Sequence, residues 1–443
     1  MKKTVLTFIL SVLAVFACAF AFVACGGDGS HKHSAQYYSV DENTHWKVCD
    51  ECGKTFDNGE HSLNASGVCS VCGYIAVYTH GLEYDEVKDD NENVIAFAVI
   101  GKGEVASTDI IIPSYHNGKP VTDIWNEAFA GCSDLTSIVI PDSVTYIGRD
   151  AFENTAYYND ESNWENEVLY IGKHLIEARN TLSGAYAIKQ GTLMIADDAF
   201  LDCSDLTSIE IPNSATSIGW SAFNFCSSLA SITVQNGNTK YHSGGNCLID
   251  TTTKTLIQGC NNSIIPTDGS VTSIEYGAFW GCSSLTSIEI PNSVTSIGDR
   301  AFAECSSLTS IEISNSVTSI EKYAFSGCSS LTSIEIPNSV TSIRRSAFWG
   351  CSSLTSITIG NGVTSIGDSA FYGCSSLTSI EIPNSVTSID DIAFISCINL
   401  TSIKFNGTMA QWAAISKGSS WNYNTGDYTV TCTDGTLSKS ESE

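Results

Sequence analysis

The chain is short of positive charge and of histidine. Lys and Arg together number 21 against 48 Asp and Glu, for a formal net charge of −27. Nucleic acid is thereby excluded as a partner, because holding phosphates needs a basic footprint. The same imbalance favours solubility and steers basic partners or cations toward the surface. No histidine follows Cys282, although serine is abundant there. Those serines have no imidazole to activate them, as a nucleophile of this type requires. Of the histidines upstream, His80, His116, His174 and His242 share no partnered spacing. Phosphate-binding glycine loops are missing as well. No catalytic set emerges, and the expectation is that the protein is not an enzyme.

What the chain has instead is repetition. From Cys282 to Cys397 it repeats every 23 residues. The first of these units is Cys-Ser-Ser-Leu-Thr-Ser-Ile-Glu-Ile-Pro-Asn-Ser-Val-Thr-Ser-Ile-Gly-Asp-Arg-Ala-Phe-Ala-Glu, and it returns at Cys305, Cys328, Cys351 and Cys374. A fixed period of this size marks a solenoid, each unit one coil stacked on the last. Leu285, Ile288 and Ile290 have the L-x-x-L-x-L spacing of a leucine-rich-repeat strand, and Val294, Ile297 and the pair Ala301-Phe302 complete the inward set. One coil buries too little apolar surface to offset the ordering of its own backbone. The coils must therefore stack, and the array must be capped at both ends. The Ala-Phe signature occurs ten times, with Phe at 129, 152, 200, 223, 279, 302, 325, 348, 371 and 394.

The 18 cysteines fall into three groups. Those at the repeat position are expected to be free, small buried residues. Stacked coils bring their sulfurs roughly 5 Å apart, but identical side chains in register point in parallel, which is poor bridge geometry. Cys247 and Cys260 are placed either to pair across a hairpin or to stay separate. Cys49-x-x-Cys52-Gly53 and Cys69-x-x-Cys72-Gly73, with 16 residues between the pairs, suit a closed structural zinc site. Two disulfides are the alternative. No His follows either CxxC, which argues against covalent haem. Lastly, Lys2 and Lys3 precede an apolar run from Thr4 to Ala24 that has the form of an export signal. Phe22-Val23-Ala24-Cys25-Gly26-Gly27 resembles a bacterial lipoprotein cleavage site, which makes Cys25 the lipidated residue. An uncleaved anchor is the alternative, since about 20 apolar residues span a bilayer.

The layout that follows is a signal over 1–24, a tether over 25–44, a zinc-knuckle module over 45–75 and an N-terminal cap over 76–112. The repeat array then runs over 113–403, a C-terminal cap over 404–433 and a polar tail over 434–443. Within the N-terminal cap, Val94, Ala96, Ala98 and Ile100 alternate as in a hairpin strand. Two insertions, at about 154–180 and 235–262, look like strand pairs projecting from the stack.

The pattern IPNSVTSIG-x-x-AF-x-x-CSSLTSI, over roughly residues 77–433, resembles the BspA-like class of leucine-rich-repeat surface proteins of bacteria and some protozoa. The resemblance implies a leucine-rich-repeat solenoid, a β-rich α/β right-handed superhelix, here carrying a small N-terminal zinc-ribbon-like module. It implies a lipid-anchored, extracellular protein at the cell surface. Some members of the class are adhesins that bind host matrix and plasma proteins, so extracellular proteins are the expected partners, with glycans as the second class. The membrane would be met through the lipid anchor only.

Two sets of residues are candidates for binding. On a leucine-rich strand the residues between the leucines face outward, and here these include Glu289, Glu312, Glu335 and Glu381. Successive glutamates in register, about 5 Å apart, repel by about 1 kcal/mol in water. Lys or Arg from a partner would relieve that repulsion, and Ca²⁺ is a lesser alternative. The bland reading is that Glu keeps a wide sheet soluble. The second set is Trp280, Trp349 and Tyr372, just after Ala-Phe, where aromatic side chains make good anchors.

Overall fold

The computed structural model describes residues 78–442 and, upstream, the backbone of three short strands. Those strands, Tyr38–Val40, Thr44–Val48 and Thr55–Glu60, form one antiparallel sheet. Cys25, Cys49, Cys52, Cys69 and Cys72 lie outside the described residues. The chain divides into two compact units. The first takes Met1–Ala178, Gln190–Ala199 and Ser214–Ala222, and the second Arg179–Lys189, Phe200–Asn213 and Phe223–Glu443. Each is built as leucine-rich-repeat solenoid. Among the described residues no helix is long and apolar enough to cross a membrane.

In the first unit, Glu83–Lys88 and Val94–Gly101 form an antiparallel hairpin, and the latter strand continues in parallel to Lys119–Ile124. Ala96 and Ala98 are buried, but Ile100 is exposed and Val99 is buried in its place. In the pairing with Glu83–Lys88 the register slips from Tyr84 opposite Val99 to Glu83 opposite Gly101, which leaves Ile100 as the extra, outward residue. Phe129 and Phe152 stack at 5.5 Å with planes 6° apart.

The insertion at 154–180 does not project. Val168–Ile171 pairs antiparallel with His174–Ala178, which in turn runs parallel to Met194–Ile195. Every residue of Val168–Ile171 is buried. A strand apolar on both faces has to be covered on both, which only a place inside the stack provides.

The second unit repeats the finding. Its longest sheet has ten strands, beginning with Tyr241–Gly244, Cys247–Asp250 and Thr255–Gln258 from the insertion at 235–262 and ending at Ser416–Lys417. Thr255–Gln258 joins the coils through parallel pairing with Ser273–Ile274. Asp250 is buried within the insertion and is neutralised by Lys240 at 2.6 Å. Where this irregular coil lacks a Phe, the Gly259 backbone covers the Phe279 ring. A Cβ there would lie 2.0 Å from Phe279 Cε1.

From Phe279 to Phe394 the rings form one buried column. Phe302, Phe325, Phe348 and Phe371 follow one another at 5.4 Å, with planes 4–8° apart. These are offset stacks, a favourable aromatic geometry. From Phe279 to Phe371 each Phe backbone is tied at both its N–H and its carbonyl to residues of the following coil. The Phe325 N–H donates to the Ala347 carbonyl at 2.9 Å, and its carbonyl accepts from the Cys351 thiol at 3.1 Å. Thr309, Thr332, Thr355 and Thr378 donate their hydroxyls to the threonine carbonyl one coil back.

The return path of each coil is a turn, not a helix, and its backbone is demanding. In all ten coils the residues two before and two after the Phe have positive φ, between 51° and 77°. The first position includes Asp198, Arg300, Tyr323 and Ile392, and the second includes Gly327, Gly350, Gly373 and Ser396. Both carry side chains that pay for a left-handed conformation.

At the C-terminal end Phe394 meets Trp421 edge-on at 5.9 Å. Trp412 and Tyr428 complete a buried aromatic lid, and Trp412 Nε1 donates to the Ser442 carbonyl at 3.1 Å. The short helix Met409–Ala414 that carries Trp412 starts in a capping box formed by Thr408 and Gln411. The lid covers the edge of the last coil, which would otherwise be open to pairing with another chain.

Candidate functional site

The open strand face of the second unit carries the glutamates. Ser287–Ile290 and Ser310–Ile313 pair in parallel with Glu289 directly opposite Glu312, and both are exposed. The expected ladder of three stops there. Ser333–Ile336 belongs to a different sheet, in which Glu335 stands opposite Thr358. Glu381 is opposite Lys404 and is neutralised: Lys404 Nζ lies 2.9 Å and Asn406 Nδ2 2.8 Å from its Oε1. Hydrogen bonds from Asn406 and Lys404 hold its carboxyl below the usual glutamate range. Among the described residues no three His, Cys, Asp or Glu converge to hold a metal ion.

The break in the ladder coincides with two departures from the repeat. Ser314 stands where other coils have Pro291, Pro337 and Pro383. Ile313 is only half-buried, whereas its equivalents Ile290, Ile336 and Ile382 are buried. On the other side, Pro266–Val271 is two residues longer than Pro291–Val294. Between these departures lies a cavity of about 250 Å³ bordered by Thr267, Glu289, Pro291, Ser293, Glu312 and Ser314. Ser314 Oγ donates to Asn292 Oδ1 at 2.7 Å on its rim. Sequence reasoning did not find the cavity, although the substituted proline and the longer turn were legible signals of it.

The aromatic candidates separate. Trp349 is exposed and stacks on Tyr372 at 6.0 Å, 20° from parallel. Trp280 is not a free anchor. It is half-buried against Phe225 at 5.1 Å and the Arg300 guanidinium at 5.4 Å. Arg300 lies over Tyr323 as well, at 4.5 Å. Glutamates and aromatics occupy different segments of the coil: the former lie on the strand, the latter just after Ala-Phe.

The repeat cysteines are unbridged and, except for the half-buried Cys132, buried, as are Cys247 and Cys260. Burial pushes the Cys351 and Cys397 thiols up to about 12, so they stay protonated at neutral pH and are poor nucleophiles. From Cys305 to Cys397 they are more than small apolar fillers, since each thiol donates to the carbonyl of a phenylalanine 26 residues earlier. In the first unit His174 is fully buried, with Nδ1 3.2 Å from the Ile171 carbonyl, and burial lowers its pKa.

The chain matches the family described as the BspA type leucine rich repeat region (6 copies) over residues 122–248, 193–328, 254–374 and 295–416. These matches span more than half of the chain. No protein of curated function matches it. Among solved structures it is similar to a leucine rich cell surface protein from Faecalibacterium prausnitzii, with 26% identity, 76% of this chain and 97% of that chain covered, and a TM-score of 0.41. A leucine-rich repeat protein from Bacteroides ovatus has 23% identity, covering 80% of this chain and 99% of its own, with a TM-score of 0.34. The pneumococcal vaccine antigen PcpA has 17% identity, 90% and 99% coverage and a TM-score of 0.42.

Proposed function

The chain belongs to the BspA-type leucine-rich-repeat family, and from that premise we propose that it is a cell-surface binding protein that adheres to host or neighbouring-cell proteins. The observation that carries this reading is the open strand face of the second unit. Its outward Ser and Glu side chains stand in register on a core whose phenylalanines are fully buried. Such a surface offers many weak polar contacts from a rigid frame, so little ordering is lost on binding. Protein partners with basic surfaces suit the net charge of −27. The work is binding and not catalysis: the threonine hydroxyls are committed to backbone carbonyls and the thiols are held protonated.

The same reading includes a lipid on Cys25 and a structural zinc held by Cys49, Cys52, Cys69 and Cys72. Mass analysis of detergent-extracted protein checks the first, and zinc content with a free-thiol count checks the second. Glycan binding is the second reading, favoured by the exposed Trp349 with Tyr372 stacked on it. The full chain, immobilised and offered matrix and plasma proteins beside a glycan array, separates the two. Saturable protein capture that weakens as salt is raised supports adhesion. Capture of oligosaccharides alone would replace it with the glycan reading.

A further inference from the structure

We propose that the cavity between Glu289 and Glu312 is a subsite for a single arginine side chain presented by a protein partner. The inference rests on the protein-binding reading and names the chemistry of one contact within it.

Three features converge on this cavity. The first is charge. Glu289 and Glu312 are opposite one another on adjacent parallel strands, both exposed, and both border the opening. Neither is paired with a cation, in contrast to Glu381 with its Lys404. The second is an orphaned hydroxyl. Ser143, Ser214, Ser339 and Ser385 occupy the same repeat position as Ser293, and each donates to the backbone carbonyl 22 residues earlier. Ser293 borders the cavity, and its Oγ is buried just behind the lining with no hydrogen-bond partner among the described residues. The third is shape. The space exists because this one coil departs from the repeat on both sides, by a longer turn before it and by Ser314 in place of proline after it.

The lining selects the ligand. Two carboxylates on neighbouring strands are about 5 Å apart at the backbone, a spacing that a planar guanidinium bridges with donors to both. An ammonium, as a compact point charge, satisfies the pair less completely. Ile290, Pro291 and Ile313 form the apolar part of the lining, suited to the methylene stem of an arginine. Ser314 Oγ donates to Asn292 Oδ1 and accepts from the Ser316 N–H, which fixes the rim of the cavity.

The test titrates the full chain with Nα-acetyl-arginine methylamide, followed by NMR shifts, with the lysine analogue and CaCl₂ alone in parallel. The inference expects saturable arginine binding, tighter than lysine, and weakened about tenfold in the E289Q/E312Q double variant. S314P should weaken it similarly while leaving the fold intact, because proline holds that position in other coils. E104Q, at an exposed glutamate of the first unit, should leave it unchanged. Binding that is equal in wild type and E289Q/E312Q overturns the inference, as does Ca²⁺ that saturates the site and displaces arginine. Protein capture by a chain that shows no saturable arginine binding sinks the subsite and leaves the protein-binding reading standing. Arginine binding lost in E289Q/E312Q, in a chain that captures no protein, upholds the subsite and sinks the adhesion reading.

Discussion

At the scale of single residues the positions that vary most in sequence are held in the least forgiving backbone conformation. The residue before Ala-Phe and the second residue after it change from coil to coil, which suggests tolerance, yet in every coil both adopt positive φ. Five coils meet the second of these positions with Gly131, Gly281, Gly327, Gly350 and Gly373, and the last meets it with Ser396 at φ 63°. Ser396→Gly is therefore expected to stabilise the second unit by about 1 kcal/mol, and Gly350→Val to cost about 1–2 kcal/mol. Chemical denaturation of the two variants checks both signs. Asp198 combines the same conformation, φ 56°, with a charge problem. Burial lifts its carboxyl to about 6, with Asp197 and Asp150 adding to the rise against the pull of Arg149. A raised carboxylate pKa means that the folded state binds the proton more tightly. Stability contributed by this group therefore rises as pH falls from about 6 toward 4, and at neutral pH the charge is a liability. Asp198→Asn should raise the melting temperature at pH 7–8, with the gain shrinking as pH falls through 6. A gain that is constant with pH would assign it to the backbone alone.

At the scale of the element, the coil is closed by a polar device inside an apolar column. The thiol of Cys351 donates to the Phe325 carbonyl, and the same bond recurs from Cys305 to Phe279, Cys328 to Phe302, Cys374 to Phe348 and Cys397 to Phe371. Cys351→Ala removes one of two donors to the Phe325 carbonyl, which keeps the Cys328 N–H at 3.2 Å, and leaves a small void, so it is expected to cost about 1–2 kcal/mol. The column thiols should also be inert to a thiol reagent in the native protein and react together on unfolding. Titration with Ellman's reagent before and after denaturant measures this, and stoichiometric reaction of the native chain would contradict it. That these cysteines are buried and separate follows from their spacing. Their service as donors does not, because the acceptor is a carbonyl 26 residues away that only coil stacking brings near. The insertions show the same limit. Their strands were legible from short apolar runs and polar turns. Their place inside the sheets was not, since such a run is silent on which neighbour a strand chooses.

At the scale of the molecule, stability in a solenoid is a sum over coils and their interfaces. Removing residues 328–350, one whole period in the second unit, should leave the circular dichroism spectrum and a cooperative transition intact. Removing residues 328–339 alone should abolish both, because every phenylalanine, strand and thiol beyond the cut would lose its register. The period, the inward residues, the phenylalanine column and the family are all written in the sequence, because a repeat reports the same local environment many times over. Where the repeat is perfect, position in the coil is enough to predict contact. Tertiary structure alone decided what happens where it is imperfect. It ended the glutamate ladder after Glu312, turned Trp280 into packing, paired Glu381 with Lys404 and opened a cavity beside Ser293. These outcomes depend on distances between neighbouring coils, and one altered residue shifts such distances in ways that its own identity does not encode.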